Sequence, residues 1–265
     1  MFFRLDSWEL GLILFAVVVG ATVLGVVGGR YLRQHSASLR EPFGVLQAAL
    51  LGLVGLILAF GLSLAVGRHE TRRAVVVDEA NTIGTTFLRA QTLAEPVRGR
   101  SLALLKTYTD TSIHLSKTVP GSREQDTTLA VSGGLQRRLW RLAGRALVDA
   151  PTASAVRLYV DSLNSMFDAQ STRVAARNNR VPSAVLTLEV VAAAVALGLL
   201  AMYLAILGRG VITVLIAALL VTALLLVTFD LDRPTRGLIT VPDTPLTKVR
   251  ASMVPPPAAT GPSGP

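Results

Sequence analysis

The chain has 265 residues, of which 51% are hydrophobic and only 16% charged, and its mean hydropathy is +0.53. So apolar a composition excludes an ordinary soluble domain and fits a membrane protein. The net charge of +9 reflects 26 Lys and Arg against 17 Asp and Glu, and the absence of Cys excludes disulfides and thiolate metal sites.

Four segments are apolar enough to span a bilayer: residues 7–28, 44–67, 183–207 and 210–229. Each is close to the ~20 residues that a ~30 Å hydrocarbon layer requires. The first follows Arg4 and has the outline of a signal peptide. Its apolar run is longer than the roughly 7–15 residues of a signal core, and Val26-Val27-Gly28-Gly29-Arg30 is no small-x-small cleavage site. It therefore reads as a retained span. Ala21, Gly25 and Gly29 recur along it every four residues, a stripe that lets another helix approach closely.

The second segment carries two adjacent stripes. Gly55, Ala59, Ser63 and Gly67 form a small-residue face suited to close helix packing. Leu56, Phe60 and Leu64 form a bulky apolar face beside it. In one reading the bulky residues face lipid. In the other, several copies of the helix meet around an axis and these residues form a hydrophobic constriction that closes by dewetting.

No turn signal separates this segment from the sequence "RHETRRAVVVDEANTIGTTFLRA", residues 68–90. At 100° per residue, Ile83, Val76, Phe87, Ala80, Gly84, Val77 and Leu88 share an arc of about 140°. Arg72, Asp78, Glu79, Asn81, Thr82, Thr85, Thr86 and Arg89 fill the remainder, so the pattern predicts an amphipathic helix. Ala80 and Gly84, four apart, admit a close neighbour. Joined to the second segment, it makes a helix of about 50 residues, roughly 75 Å long. Its polar face is either a salt-bridged surface, with Arg173, Arg177 or Arg236 as partners, or the lining of a wet vestibule below a pore.

Three more helices are predicted, over about 97–117, 123–148 and 152–180. Pro96, the turn Val119-Pro120-Gly121-Ser122 and Pro151 divide them. Ser122 with Gln125 three residues later is a capping-box start, and Pro151 suits a first helical turn. Arg137, Arg141 and Arg145 share a helical face beside Trp140. That face is a solvated charge run, an anionic-lipid contact or an anion-attracting wall. Glu189 lies inside the third span, as either a structural partner of Arg180 or a pathway residue. The fourth span ends in Asp230-Leu231-Asp232-Arg233-Pro234, where a carboxylate caps the helix or pairs with Arg233 or Arg236 and docks the tail.

Basic flanks set the topology. Four spans put Arg4, Arg68, Arg72, Arg73, Arg173, Arg177, Arg180, Arg233 and Arg236 on one side, against Arg30, Arg33, Arg40 and Arg209 on the other. The first side, holding both termini and the central region, is therefore expected to be cytoplasmic. Nucleic acid is not an expected partner, because no platform of aromatics accompanies the basic residues. His35, His69 and His114 lie too far apart to suggest a metal site. Gly25-Val26-Val27-Gly28-Gly29-Arg30 follows no strand and is no dinucleotide fingerprint. No nucleophile–base pair stands out, so no enzyme activity and no cofactor are expected.

"ILAFGLSLAVGRHETRR", residues 57–73, resembles the second-helix segment of bestrophins, which are pentameric ion channels. Three stretches are similar to a bacterial family described as bestrophin-like: "RRAVVVDEANTIGTTFLRA" at 72–90, "RVAARNNRVPSAV" at 173–185 and "FDLDRPTRGLITV" at 229–241. The resemblance implies an all-helical subunit of the bacterial inner membrane, assembled as a ring of five with second helices around the axis. In bestrophins bulky apolar residues four apart on that helix build a neck. The matching positions here are Gly52, Leu56 and Phe60; Leu56 and Phe60 keep the pattern, and Gly52 departs from it, which implies either a wider outer end or no true neck. The acidic run that binds calcium in the animal channels has no counterpart, since Asp230, Asp232 and Asp243 are few and spread.

The expected fold is an all-α membrane protein with four transmembrane helices in two pairs. A helical cytoplasmic domain, 68–182, lies between the pairs, and a tail, 230–265, is disordered from about Val254. The expected function is a bestrophin-like oligomeric ion channel with a hydrophobic neck. The alternative is a non-conducting scaffold or signalling component that binds a partner through its helical domain. The expected partners are membrane lipid and further copies of the chain.

Overall fold

The computed structural model describes residues 7–33, 40–208, 210–233, 235 and 237–254. Arg4, His35, Ser36, Arg209, Pro234, Arg236 and the tail beyond Val254 lie outside them. The described residues form eight helices and no strand: α1 (Ser7–Arg33), α2 (Arg40–Ala90), α3 (Val97–Lys117), α4 (Arg123–Asp149), α5 (Ser154–Asn178), α6 (Ser183–Leu207), α7 (Val211–Leu231) and α8 (Thr244–Ser252). Four stretches among them are long and apolar enough to cross a membrane. The chain divides into two compact units, residues 1–69 with 180–240, and residues 70–179 with 241–265.

In the first unit α1 packs against α6 and α7. The small residues of α1 make that approach possible. A Cβ on Gly25 would lie 2.0 Å from the Gly198 carbonyl oxygen, and one on Gly29 2.4 Å from that of Met202. The stripe on α1 is therefore spent within the chain. Leu10, Leu14, Leu58, Leu186, Leu225 and Phe229 form the apolar interior. Between α6 and α7 the backbone turns through Gly208 and Gly210, at φ 71° and 93°. That left-handed geometry costs a glycine nothing and ends α6 after Leu207.

The motif after α7 fastens this unit. Asp232, fully buried, accepts a hydrogen bond from the Val181 amide at 3.0 Å, at the entry to α6. Asp230 accepts one from the Ile239 amide at 2.8 Å. A side chain at Gly237 would strike the Asp230 carboxylate, at 2.7 Å. Both aspartates thus hold backbone amides of this unit.

The second unit is built from the later part of α2 with α3, α4, α5 and α8. Gly121, at φ 76°, turns the chain between α3 and α4. Ser122 Oγ accepts from the Gln125 amide at 3.2 Å, and the Gln125 side chain reaches back to the Gly121 amide. Ile83, Phe87, Leu105, Tyr108, Leu139, Tyr159, Leu163 and Met166 form the core. Pro151 does not open α5. It sits in a turn, and α5 starts at Ser154 after Ala153, whose amide bonds back to the Ala150 carbonyl. The short α8 was not expected from the sequence. It buries Leu246 and Met253 in the core, and Arg250 pairs with Asp110 at 2.7 Å. Val249 approaches Gly84, where a Cβ would meet it at 3.0 Å.

Candidate functional site

Within the first unit one face of α2 is uncovered. Leu58, Gly61 and Ala65 point inward, whereas Gly52, Gly55, Leu56, Ala59, Phe60, Ser63, Leu64 and Gly67 are exposed. Leu56 is 52% exposed and Phe60 67%. A Cβ added at Gly52, Gly55 or Gly67 would touch nothing within 4 Å. Among the described residues, the glycines of the α2 stripe thus leave open space where those of α1 are packed against α6. The glycine of α2 that is used inside the subunit is Gly61, which the four-residue stripe does not include. An added Cβ there would overlap the Glu189 carboxylate.

Glu189 on α6 is wholly buried, between Leu186 and Ala193 in sequence and against Gly61. The expected pairing with Arg180 is not made. Neither carboxylate oxygen has a hydrogen-bond partner among the described residues.

In the second unit the polar face of α2 splits. Asp78, Asn81 and Thr85 are exposed, together with Val77 and Leu88 from the apolar arc. Arg72, Glu79 and Thr86 are buried, which corrects their assignment to a solvent-lined face. Arg89 turns toward α5, donating to the Leu158 carbonyl at 2.8 Å and pairing with Asp161 at 3.3 Å. Thr82, half-buried, donates to the Glu79 carbonyl of its own helix at 2.9 Å. The buried arc is centred about 70° round the helix from the centre of the apolar arc. The rotation follows from partners that hydropathy does not reveal.

Those partners form a connected interior network. Glu79 Oε2 pairs with Arg173 Nη1 at 2.7 Å, both side chains fully buried, and Glu79 Oε1 accepts from Ser112 Oγ at 2.9 Å. Arg173 also donates to the Ser112 carbonyl at 2.9 Å. Arg177 donates to the Leu115 and Thr118 carbonyls at the end of α3. Arg72 donates to the Ala176 and Asn179 carbonyls at the end of α5, at 3.3 and 2.8 Å. Free carbonyls at a helix C-terminus carry partial negative charge, so cations there satisfy both acceptors and dipole. Thr86 donates to the Ser162 carbonyl at 3.0 Å. This network ties α2, α3 and α5 together. It has the character of a structural cluster, and no group of metal-ligating side chains occurs among the described residues.

Comparison with known proteins points one way. A family model described as Bestrophin-like domain matches residues 12–246. The crystal structure of a point mutant of a bacterial Bestrophin homolog from Klebsiella pneumoniae superposes with a TM-score of 0.65. The two share 12% identity, and the match covers 89% of this chain and 97% of that one, so the likeness is one of fold. A search of curated proteins found no match.

Proposed function

We propose that this membrane protein, which belongs to the Bestrophin-like family, assembles with copies of itself into a ring-shaped ion channel lined by α2. The observation that carries this reading is the uncovered face of α2. Leu56, Phe60, Ser63 and Gly67 share one face of the span, and within the second unit Asn81 and Thr85 are exposed. The exposed part in the span is apolar and small, and the exposed part beyond it holds Asp78, Asn81 and Thr85. Neighbouring copies would pack on the small stripe, and Leu56 with Phe60 would narrow the axis. Asp78, Asn81 and Thr85 would then line its wetter end, without Glu79, Thr86 or Arg72.

The particle mass in mild detergent, followed by current across planar bilayers, tests the proposal. The expected particle contains several copies, with five implied by the resemblance, and it conducts. Ala59→Leu should reduce the particle to smaller species, because added bulk forces backbones apart where small residues let them meet. A monomeric or dimeric particle, or a silent bilayer, would transfer the reading to a non-conducting scaffold.

The proposed orientation keeps the second unit in the cytoplasm of a bacterial inner membrane. The flank asymmetry behind it narrows, because Arg72, Arg173 and Arg177 are spent inside that unit. A reporter active only in the periplasm should be silent when fused at Gly121 and active at Ser36. The opposite pattern would invert the topology.

A further inference from the structure

Helix α4 carries a basic surface that the channel reading does not use. Arg137, Arg138, Arg141 and Arg145 are all exposed, and Arg100 on α3 faces the same region. None of the five guanidinium groups makes a hydrogen bond or ion pair among the described residues. Two grooves open there and share Arg141. One, of about 750 Å³ between α4 and α5, is lined by Arg137, Trp140, Phe167, Gln136 and Asn164. The other, of about 430 Å³ between α3 and α4, is lined by Arg100, Arg138 and Arg145. No acidic residue lines either groove.

Two physical points set this surface apart from a solvated charge run. Like charges four residues apart on a helix repel, so Arg137, Arg141 and Arg145 cost the free helix stability that a bound anion would restore. The arginines also flank an aromatic corner. Trp140 and Phe167 lie 6.5 Å apart with ring planes at 56°, and Trp140 is 46% exposed. An exposed indole beside guanidinium groups offers a stacking surface for a flat ring next to donors that fit phosphate oxygens in pairs. Gln136 and Asn164 add donors and acceptors at the edge of that surface.

We propose that these adjoining grooves bind a nucleoside polyphosphate, its base on Trp140 and Phe167 and its phosphates on Arg141, Arg138 and Arg145. A lipid headgroup would offer the same phosphate, but a helix that lies on a bilayer needs a free apolar face. Leu135, Leu139, Leu142, Ala143 and Ala146 of α4 are buried in the core of the unit, and its exposed apolar residues, Val131, Trp140 and Val148, do not share one face. A nucleic acid strand would need a row of aromatics, and here there is one pair. The proposal does not depend on conduction, because binding is read without current.

The test uses the full chain in detergent with Trp8→Phe, leaving Trp140 as the one indole of the two in the sequence. ATP should quench Trp140 fluorescence saturably, and quenching should weaken as salt rises. Arg141→Ala, at the junction of the grooves, should weaken the apparent Kd about tenfold or more, the effect of losing roughly 1.4 kcal/mol. The residue is exposed, so an unchanged elution volume will show that the variant folds. Inorganic triphosphate should bind at least about tenfold more weakly than ATP. Equal affinity for the two would mean an adventitious anion only and would overturn the proposal. No saturable quenching by millimolar ATP would overturn it too, as would binding confined to vesicles containing phosphatidylglycerol.

Discussion

Glu79→Gln is expected to destabilise the protein by about 3–5 kcal/mol, the usual effect of removing one member of a buried ion pair. The substitution barely changes shape, so the loss would come from charge. It would leave the Arg173 guanidinium, fully buried, without its carboxylate partner. Burial pushes the Glu79 carboxyl pKa up, and Arg173, the Ser112 hydroxyl and Arg177 act against that rise, so the glutamine would also weaken the bond from Ser112 and remove the group that faces both arginines. An uncompensated buried cation has no water to turn to. Arg72 and Arg177 are less exposed to this failure, because helix-terminal carbonyls hold them. The control is the adjacent exposed carboxylate: Asp78→Asn should change stability by no more than about 0.5 kcal/mol. Denaturant unfolding followed by near-ultraviolet circular dichroism compares the two. Replacing both partners, Glu79→Gln with Arg173→Met, should recover part of the loss, since no buried charge then remains unpaired. If Glu79→Gln proves as silent as Asp78→Asn, the pair does not hold this unit together.

The same residue marks the limit of what the sequence makes legible. Hydropathy along the chain is local, so the four apolar segments, the long second helix and the breaks near Pro96 and Gly121 can be read from it. The family resemblance, too, rests on short contiguous motifs. Which polar residues of an amphipathic helix meet partners is not local. Glu79 meets Ser112 and Arg173, and Thr86 meets Ser162, all distant in sequence. Only those contacts decide that Arg72, Glu79 and Thr86 turn inward while Val77 and Leu88 stay out. Gly61 escaped notice for a related reason. Its neighbour is a single carboxylate on α6, and a rule that looks for small residues every four positions does not register it. The short α8 did leave a signal, Asp243-Thr244-Pro245, which is an acceptor followed by a proline in the first turn. Its nine residues are too few for a periodic pattern to stand out.

Phe60→Ala is expected to raise single-channel conductance several-fold. In one subunit the Phe60 ring is 67% exposed on the uncovered face of α2, one turn beyond Leu56. Brought together around an axis, such side chains would form a ring without hydrogen-bonding groups. Water leaves a narrow apolar passage because it cannot keep its own hydrogen bonds there, and an ion cannot follow without its hydration shell. Truncation to alanine removes the ring from every subunit at once, so the passage would widen by several ångströms and rewet. A barrier lowered by about 1.4 kcal/mol raises flux about tenfold, so even a modest relief is measurable. Stability should change little, since the side chain is largely outside the core of its own unit. Asp78→Asn provides a second, separable readout. It removes charge from the exposed face beyond the span, so it should shift cation-against-anion preference, most clearly at low salt. Conductance should respond to Phe60 and selectivity to Asp78. Glu79→Gln, at a side chain buried within its own unit, should affect selectivity only by unfolding the protein. Should Phe60→Ala leave the current unchanged while Ala59→Leu still breaks the particle, α2 would pack between subunits without lining the pore, and the constriction would have to be sought on another helix.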